Sequence, residues 1–187
     1  ERTDELERTN QKLTTEIAER RQAEEEVRRL SLTDELTGLL NRRGFLLLAE
    51  QNLKTARRAK AVCSLFFLDL NGLKRVNDNY GHRAGDAMIA NTAQVLKASF
   101  RDADIIARLG GDEFAILAAN GEHTDIMLAR MQAAVGQFNK GDATPHQLSF
   151  SVGAVRCLPT EEKSLLELLA DADTLMYEQK QERGLRQ

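Results

Sequence analysis

Several residue types that mark whole classes of protein are scarce or missing in this sequence. It contains no tryptophan and only two cysteines, Cys63 and Cys157, whose separation matches no zinc-binding spacing. We therefore expect two free thiols in a reducing compartment. No apolar run approaches the roughly 18 residues needed to span a bilayer, and no signal peptide opens the chain.

The sequence also lacks a large excess of positive or negative charge. The net charge is -3 and there is no long basic run, which argues against a surface built to hold a nucleic-acid backbone. Small anionic ligands remain compatible with this balance. Because the sequence begins at Glu1 rather than Met, we expect a cytoplasmic fragment of a longer protein. The missing upstream part could hold a sensor domain or a membrane anchor.

The first thirty residues differ in composition from the rest. They contain no glycine or proline, and sixteen of the thirty are charged. Apolar and small polar residues recur there at alternating steps of four and three, which is typical of a coiled-coil seam: Leu6, Asn10, Leu13 and Ile17. The seam is imperfect, because its register then turns Arg20 and Glu24 inward before apolar spacing resumes out of phase at Ala23, Val27 and Leu30. We interpret residues 1–31 as a long coiled-coil dimerisation stalk, with a single solvated helix as the alternative.

Residues 32–187 alternate between helical and strand patterns, and with 42% hydrophobic residues the chain can bury one sizeable core. We predict helices at residues 42–59, 84–100 and 164–182, and between the last two a helix with Leu128, Met131, Val135 and Phe138 on one face. We predict strands at residues 61–70, 104–110, 113–119 and 147–158. This order predicts one α/β (α+β) domain in which helices flank a mixed central sheet.

The stretch "RLGGDEFAIL" carries the first chemical signal. Two glycines and two acids interrupt an alternating pattern, which predicts a hairpin whose tip is Gly110-Gly111-Asp112-Glu113. Glycines at such a tip permit positive φ angles and leave bare backbone that phosphates can approach. A solvated turn is the alternative interpretation.

A second acid, Asp69, closes the apolar strand "AVCSLFFLDL". Ligand sites of open α/β sheets lie at strand ends, so a hairpin placed beside this strand would bring Asp69 and Asp112 together. Carboxylate oxygens with room for water and phosphate describe a Mg²⁺ site of the kind that nucleotidyl transfer uses. The residues therefore favour phosphoryl or nucleotidyl transfer.

These motifs together carry a family resemblance. "RLGGDEF", "FFLDLNGLKRVNDNYGHRAGD" and "DELTGLLNRRGF" resemble the GGDEF-domain diguanylate cyclases, from about residue 34 to residue 183. The resemblance implies a palm-like nucleotide cyclase fold. It also implies condensation of two GTP molecules into cyclic di-GMP, with release of two pyrophosphates, at the interface of a homodimer.

The resemblance also implies roles for particular residues. The catalytic set would be Asp69, Asp112 and Glu113. Mg²⁺ or Mn²⁺ would be held by Asp69, Asp112, Glu113 and the Leu70 carbonyl, with Glu113 serving either as ligand or as the base for the ribose 3′ hydroxyl. Guanine would be read by Asn77 and Asp86, since an amide and a carboxylate complement its edge. The remaining substrate contacts would come from Gly72, Leu73, Lys74, Gly110, Gly111 and Lys180.

Two further segments bear on regulation and on fit to the family. "RDAD" matches the family's inhibitory product-binding motif, which implies that Arg101 and Asp104 bind cyclic di-GMP; a local ion pair is the alternative. The closing segment "ADTLMYEQKQERG" departs from the family pattern, because the arginine is displaced by one residue to Arg183. Two other functions stay open: a silent receptor for GTP or cyclic di-GMP, and a dimerisation module that only transmits a signal.

Overall fold

The computed structural model describes residues 13, 14, 16, 17, 20, 21, 24, 27, 31–119, 123–141 and 146–184. The chain forms two compact units, Glu1–Ser31 and Leu32–Gln187. Among the described residues, no helix is both long and apolar enough to cross a membrane.

In the first unit, the described residues before Ser31 are helical and exposed. Arg20 Nε lies 2.9 Å from Glu24 Oε1, an i,i+4 ion pair on the surface of this helix. The other seam positions, Leu6, Asn10, Ala23 and Leu30, lie outside the described residues. The assignment of this unit as a dimerisation stalk therefore stays a prediction.

The second unit contains five helices and four strands in its described residues. The helices are α1 (Arg42–Arg58), α2 (Leu73–Tyr80), α3 (His82–Ser99), α4 (Thr124–Asn139) and α5 (Leu165–Gly184). The strands are β1 (Cys63–Leu70), β2 (Ile105–Gly110), β3 (Glu113–Ala119) and β4 (Phe150–Cys157). The predicted α+β class with helices around a central sheet is confirmed.

The strands lie in the order β2-β3-β1-β4. β1 pairs antiparallel with both β3 and β4, and β2 pairs antiparallel with β3. The expected mixture of strand directions is corrected: the only parallel pairing recorded in the described part of the sheet is the isolated bridge between Leu40 and Ala107. β2 does run parallel to β1, but the returning strand of the hairpin lies between them and takes the place beside β1.

Two hydrophobic clusters cover the two faces of this sheet. One joins Phe66, Leu68 and Leu70 of β1 to α3 and α4. The other joins Leu65 and Phe67 of the same strand to α1 and α5. All eight residues of β1 are buried, as the continuous apolar run predicts for a central strand.

The helix α5 packs very closely on β4. A Cβ added at Gly153 would lie 1.8 Å from the Ala172 carbonyl oxygen, so only glycine fits there. Further along α5, Gln179 Oε1 accepts a hydrogen bond from the Val152 backbone N–H at 2.8 Å. These contacts fix the C-terminal part of α5 beside the ends of β1 and β4.

Candidate active site

The β2–β3 hairpin ends in open backbone. Gly110 has a φ of 153° and Gly111 a φ of 51°, and a Cβ at either position would meet nothing within 4 Å. Residues with side chains rarely adopt such angles, so the glycines are required by the turn itself. The empty space beside them leaves the backbone accessible to a ligand.

The structure brings the three predicted catalytic acids to one end of the sheet. Asp69 lies directly opposite Glu113 in the β1–β3 register. The Leu70 N–H donates to the Asp112 carbonyl at 2.9 Å, which fixes the hairpin tip against the end of β1. Asp69 is only 8% exposed. The acid that ends the apolar strand therefore lies beside the acidic tip.

The electrostatics of this cluster disfavour a charged Glu113. Burial raises the pKa of the Glu113 carboxyl, and the negative charges of Asp112, Asp173 and Asp69 raise this pKa further. Arg42 opposes them by favouring the charged form. Sequence reasoning missed Asp173 and Arg42, which come from α5 and α1. The "NRR" and "AD" segments that contain them were visible in the sequence, but their proximity to Glu113 was not.

A cleft of about 270 Å³ opens beside Glu113. Arg42 and Asp173 line it together with apolar side chains of α1, α5 and the sheet, among them Phe67 and Leu169. Charged and apolar side chains therefore line the same cleft as Glu113.

The positively charged side chain of Lys180 contacts the acid cluster. Its Nζ lies 2.7 Å from Asp69 Oδ1, and the lysine side chain is 46% exposed. The resemblance implied a phosphate contact for Lys180, and the structure places it on Asp69. Arg183 lies in the described backbone of α5, but its side chain lies outside the description.

The donor chemistry fits a hard divalent cation. The carboxylates of Asp69, Asp112 and Glu113 and the backbone at Leu70 offer oxygen atoms, the ligands that Mg²⁺ and Mn²⁺ prefer. Burial raises the pKa of Glu113, neighbouring negative charges raise it further, and a bound cation would offset both effects by favouring the charged carboxylate. Within the described ranges, no three acid, histidine or cysteine side chains form a group that could hold a metal ion by themselves, so the fit lies in the type of the donor atoms.

Arg108 holds the hairpin tip from the side of β2. Its Nε and Nη2 donate to the Gly111 carbonyl at 3.0 and 2.9 Å. Its Nη1 lies 3.2 Å from Asp34 Oδ2. Asp34 Oδ1 also accepts hydrogen bonds from the backbone N–H and the hydroxyl of Thr37. The segment "DELTGLLNRRGF" is therefore tied directly to the acidic tip.

The predicted guanine-reading residues lie on adjoining helices. Asn77 is on α2, and a Cβ added at Gly85 of α3 would lie 1.9 Å from its Oδ1. Asn77 Oδ1 is buried and finds no hydrogen-bond partner among the described residues. Asp86, next to Gly85, is exposed. Asn77 and Asp86 therefore lie on two helices that meet at Gly85.

Three of the predicted substrate contacts lie at the start of α2. Gly72 is its N-cap residue, with a φ of 81°, and Leu73 is the first helical residue. Lys74 is exposed on the first turn. Backbone N–H groups at a helix start are suited to anions.

The "RDAD" segment forms a turn before β2. Asp104 Oδ2 accepts from the Arg101 backbone N–H at 2.9 Å, and Asp104 Oδ1 accepts from the Ala119 N–H at 3.2 Å. The Asp104 carboxylate therefore bonds backbone groups here, and the Arg101 residue is exposed. The segment lies at the opposite end of β2 from the hairpin tip.

Residues 31–186 match the protein family described as Diguanylate cyclase, GGDEF domain. The chain is 34% identical over 157 residues to the diguanylate cyclase DgcP of Escherichia coli, which covers 80% of this chain and 45% of that protein. It is 34% identical over 177 residues to the bifunctional diguanylate cyclase/cyclic di-GMP phosphodiesterase MucR of Pseudomonas aeruginosa, covering 94% of this chain and 25% of that protein. The chain thus spans less than half the length of these two curated relatives.

Among solved structures, the chain resembles the coiled coil and GGDEF domain of DgcB from Caulobacter crescentus, determined in complex with c-di-GMP. The TM-score is 0.73 and the sequence identity 26%, and the match covers 94% of each chain.

Proposed function

Because this chain belongs to the GGDEF family of diguanylate cyclase domains, we propose that it condenses two GTP molecules into cyclic di-GMP and two pyrophosphates. The observation that carries the proposal is the gathering of Asp69, Asp112 and Glu113 at one end of the sheet. A domain that only bound nucleotide would have no use for three acids gathered at a place where burial and neighbouring negative charges raise the pKa of Glu113.

The acid cluster would hold Mg²⁺ or Mn²⁺ through Asp69, Asp112, Glu113 and the Leu70 carbonyl. A bound cation would neutralise the charge that develops on the α-phosphate and on the leaving pyrophosphate. Glu113 has two possible roles, as a cation ligand or as the base that accepts the proton of the ribose 3′ hydroxyl. Its raised pKa makes it a stronger base in the second role.

The GTP phosphates would bind the open backbone of Gly110 and Gly111 and the start of α2 at Gly72 and Leu73. Lys74 is exposed and can reach the same phosphates. The half-exposed side chain of Lys180 can turn from Asp69 to a phosphate oxygen, which makes its ion pair compatible with the implied role.

Guanine would be recognised by Asn77 and Asp86. The amide of Asn77 can donate to guanine O6, and Asp86 can accept from the N1 and N2 hydrogens. Adenine offers the opposite pattern at this edge, so it would leave these groups unpaired.

Catalysis needs two copies of the domain. Each domain offers one GTP site, whereas the product requires two nucleotides with each 3′ hydroxyl aimed at the other α-phosphate. We assign residues 1–31 to a helix that joins two chains and raises the effective concentration of the two sites. An upstream sensor could act by shifting the register of this helix.

Arg101 and Asp104 would bind the product and inhibit the enzyme. Since they lie at the far end of β2 from the hairpin tip, a ligand there would act by trapping two domains in an unproductive arrangement.

A cytoplasmic location is compatible with GTP as the proposed substrate. It is also compatible with the finding that no helix in the described residues could span a membrane.

Incubation with GTP and Mg²⁺, followed by chromatography and mass spectrometry, tests the proposal. Cyclic di-GMP and two equivalents of pyrophosphate are expected from the parent protein and not from Asp112→Ala. Saturable guanine-nucleotide binding without product would instead identify a receptor. Neither binding nor product would leave the dimerisation module as the function.

A further inference from the structure

The chain passes from β1 to α2 in only two residues, Asn71 and Gly72. Gly72 has a positive φ, and as the N-cap residue it has no side chain that could accept from the first turn of α2. The backbone on either side, at Leu70 and Leu73, is what the proposed function uses for the cation and the phosphates. The position of this backbone must therefore be fixed by another group.

Asn71 ties this β1–α2 turn to β4 and the residues just before it. Its backbone N–H donates to the Ser149 carbonyl at 2.9 Å. Its side-chain Oδ1 accepts from Ser151 Oγ at 3.1 Å, and its Nδ2 donates to Ser149 Oγ at 3.4 Å. The side chain thus bonds two serines that are two positions apart, Ser149 just before β4 and Ser151 inside the strand.

Ser151 is the buried member of this network. It is 1% exposed and lies opposite Asp69 in the β1–β4 register. A hydroxyl has a single hydrogen to donate, and here that hydrogen goes to Asn71. The buried hydroxyl of Ser151 therefore donates its hydrogen bond to the turn that follows Asp69.

We propose that Asn71 and Ser151 form a positioning pair that holds the β1–α2 turn in the conformation that receives the phosphates of a nucleoside triphosphate. The pair acts through the backbone of Leu70, Gly72 and Leu73, and it contacts no reacting atom itself. The inference rests on the proposed function, because that function supplies the phosphates for this turn.

A double-mutant cycle tests the pair, with Asn71→Ala, Ser151→Ala and the double variant. Each protein is titrated with a non-hydrolysable GTP analogue in the presence of Mg²⁺ by calorimetry, and KM and kcat for GTP are measured separately. Ser99→Ala is the matched control, since Ser99 is 2% exposed and its hydroxyl makes one buried hydrogen bond to the Val95 carbonyl. Thermal unfolding of all variants measures the loss of stability.

Each single variant is expected to weaken analogue binding about fivefold, the size of one lost net hydrogen bond. The double variant should be no weaker than the worse single one, because both changes break the same contact. Ser99→Ala should lose stability and keep its affinity for the analogue. KM should rise more than kcat falls.

The proposal is overturned if Ser151→Ala binds the analogue as tightly as Ser99→Ala, or if the two single effects multiply in the double variant. A parent protein that binds the analogue and makes product while the variants behave normally would overturn the positioning pair alone. A parent that neither binds the analogue nor makes product would overturn the proposed function, and the pair with it.

Discussion

Substitution of Arg108 should show most clearly how stability and activity change when the hairpin tip is no longer held in place. The change Arg108→Met keeps an unbranched, uncharged stem that is two atoms shorter than arginine, and it removes all of the side chain's hydrogen-bond donors. Two of the lost bonds go to the Gly111 carbonyl, and a third contact goes to the Asp34 carboxylate.

The expected loss of stability follows from the exposure of these groups. The Arg108 and Asp34 side chains are 14% and 22% exposed, so their ion pair is largely shielded from water. Hydrogen bonds to charged groups contribute about 1.5–3 kcal/mol each, and the partial exposure of this pair argues for the lower part of that range. Gly111 is exposed, and water can replace the donors that its carbonyl loses.

We expect Arg108→Met to lower the free energy of unfolding by about 2 kcal/mol, which for a domain of this size lowers Tm by about 4–8 °C. The loss of activity should exceed the loss of folded protein, because small displacements of catalytic groups cost roughly 10–100-fold in rate. The assays are thermal unfolding and the initial rate of cyclic di-GMP formation, both measured well below the Tm of the variant.

Lys54→Met is the matched control for this prediction. It breaks an ion pair with Glu50 of similar length, 2.8 Å, but both of those side chains are more than half exposed. We expect no measurable change in Tm or in rate for this variant. The reasoning about the hairpin tip is refuted if Arg108→Met unfolds within 1 °C of Lys54→Met, or if the two variants turn over GTP equally fast.

Four further outcomes follow from the geometry. The pKa of Glu113 lies above its ordinary value of 4.5 in the folded protein, so ionisation of Glu113 lowers the free energy of unfolding as pH rises from 4.5 through the folded pKa, and has no such effect below 4.5. Glu113→Gln should therefore be more stable than the parent in urea at pH 7 and equal to it at pH 4, and lower stability of the variant at pH 7 would contradict this. Asp86→Ala should narrow the ratio of kcat/KM for GTP over ATP, and an unchanged ratio would remove guanine reading from this residue. Removal of residues 1–31 should make specific activity fall steeply with dilution, whereas equal activity of both chains at low concentration would argue against a dimerising stalk. Arg101→Ala should accumulate more cyclic di-GMP from the same GTP, with unchanged initial turnover, and inhibition by added product equal to that of the parent would exclude feedback at "RDAD".

Local patterns were sufficient to predict that Asp69 and the acidic hairpin tip lie together. The apolar run that ends at Asp69 predicts a buried central strand, and the two glycines before Asp112 predict a hairpin. The register of β1 against β3 brings these two local features together, as expected for an acid at a strand end. The sequence also predicted the class of the fold, because the continuous apolar run of β1 and the amphipathic pattern of α3 are both clear.

Contacts between distant segments could not be predicted in the same way. Arg108 and Asp34 are separated by 74 positions, and Lys180 and Asp69 by 111. Whether they meet depends on which helix covers which face of the sheet, and no periodicity encodes that. The sequence did not show whether β2 or β3 of the hairpin would lie beside β1. Because β3 lies there, the pairing with β1 is antiparallel.

The most direct test of the account is the initial rate of cyclic di-GMP formation by Glu113→Ala, measured beside Glu50→Ala. Glu50 is an exposed acid on α1, so its removal controls for the loss of one negative charge. We expect a normal rate for Glu50→Ala and a loss of more than about tenfold for Glu113→Ala with the fold intact. A Glu113→Ala rate within tenfold of the parent, a difference below about 1.4 kcal/mol in transition-state stabilisation, would contradict it.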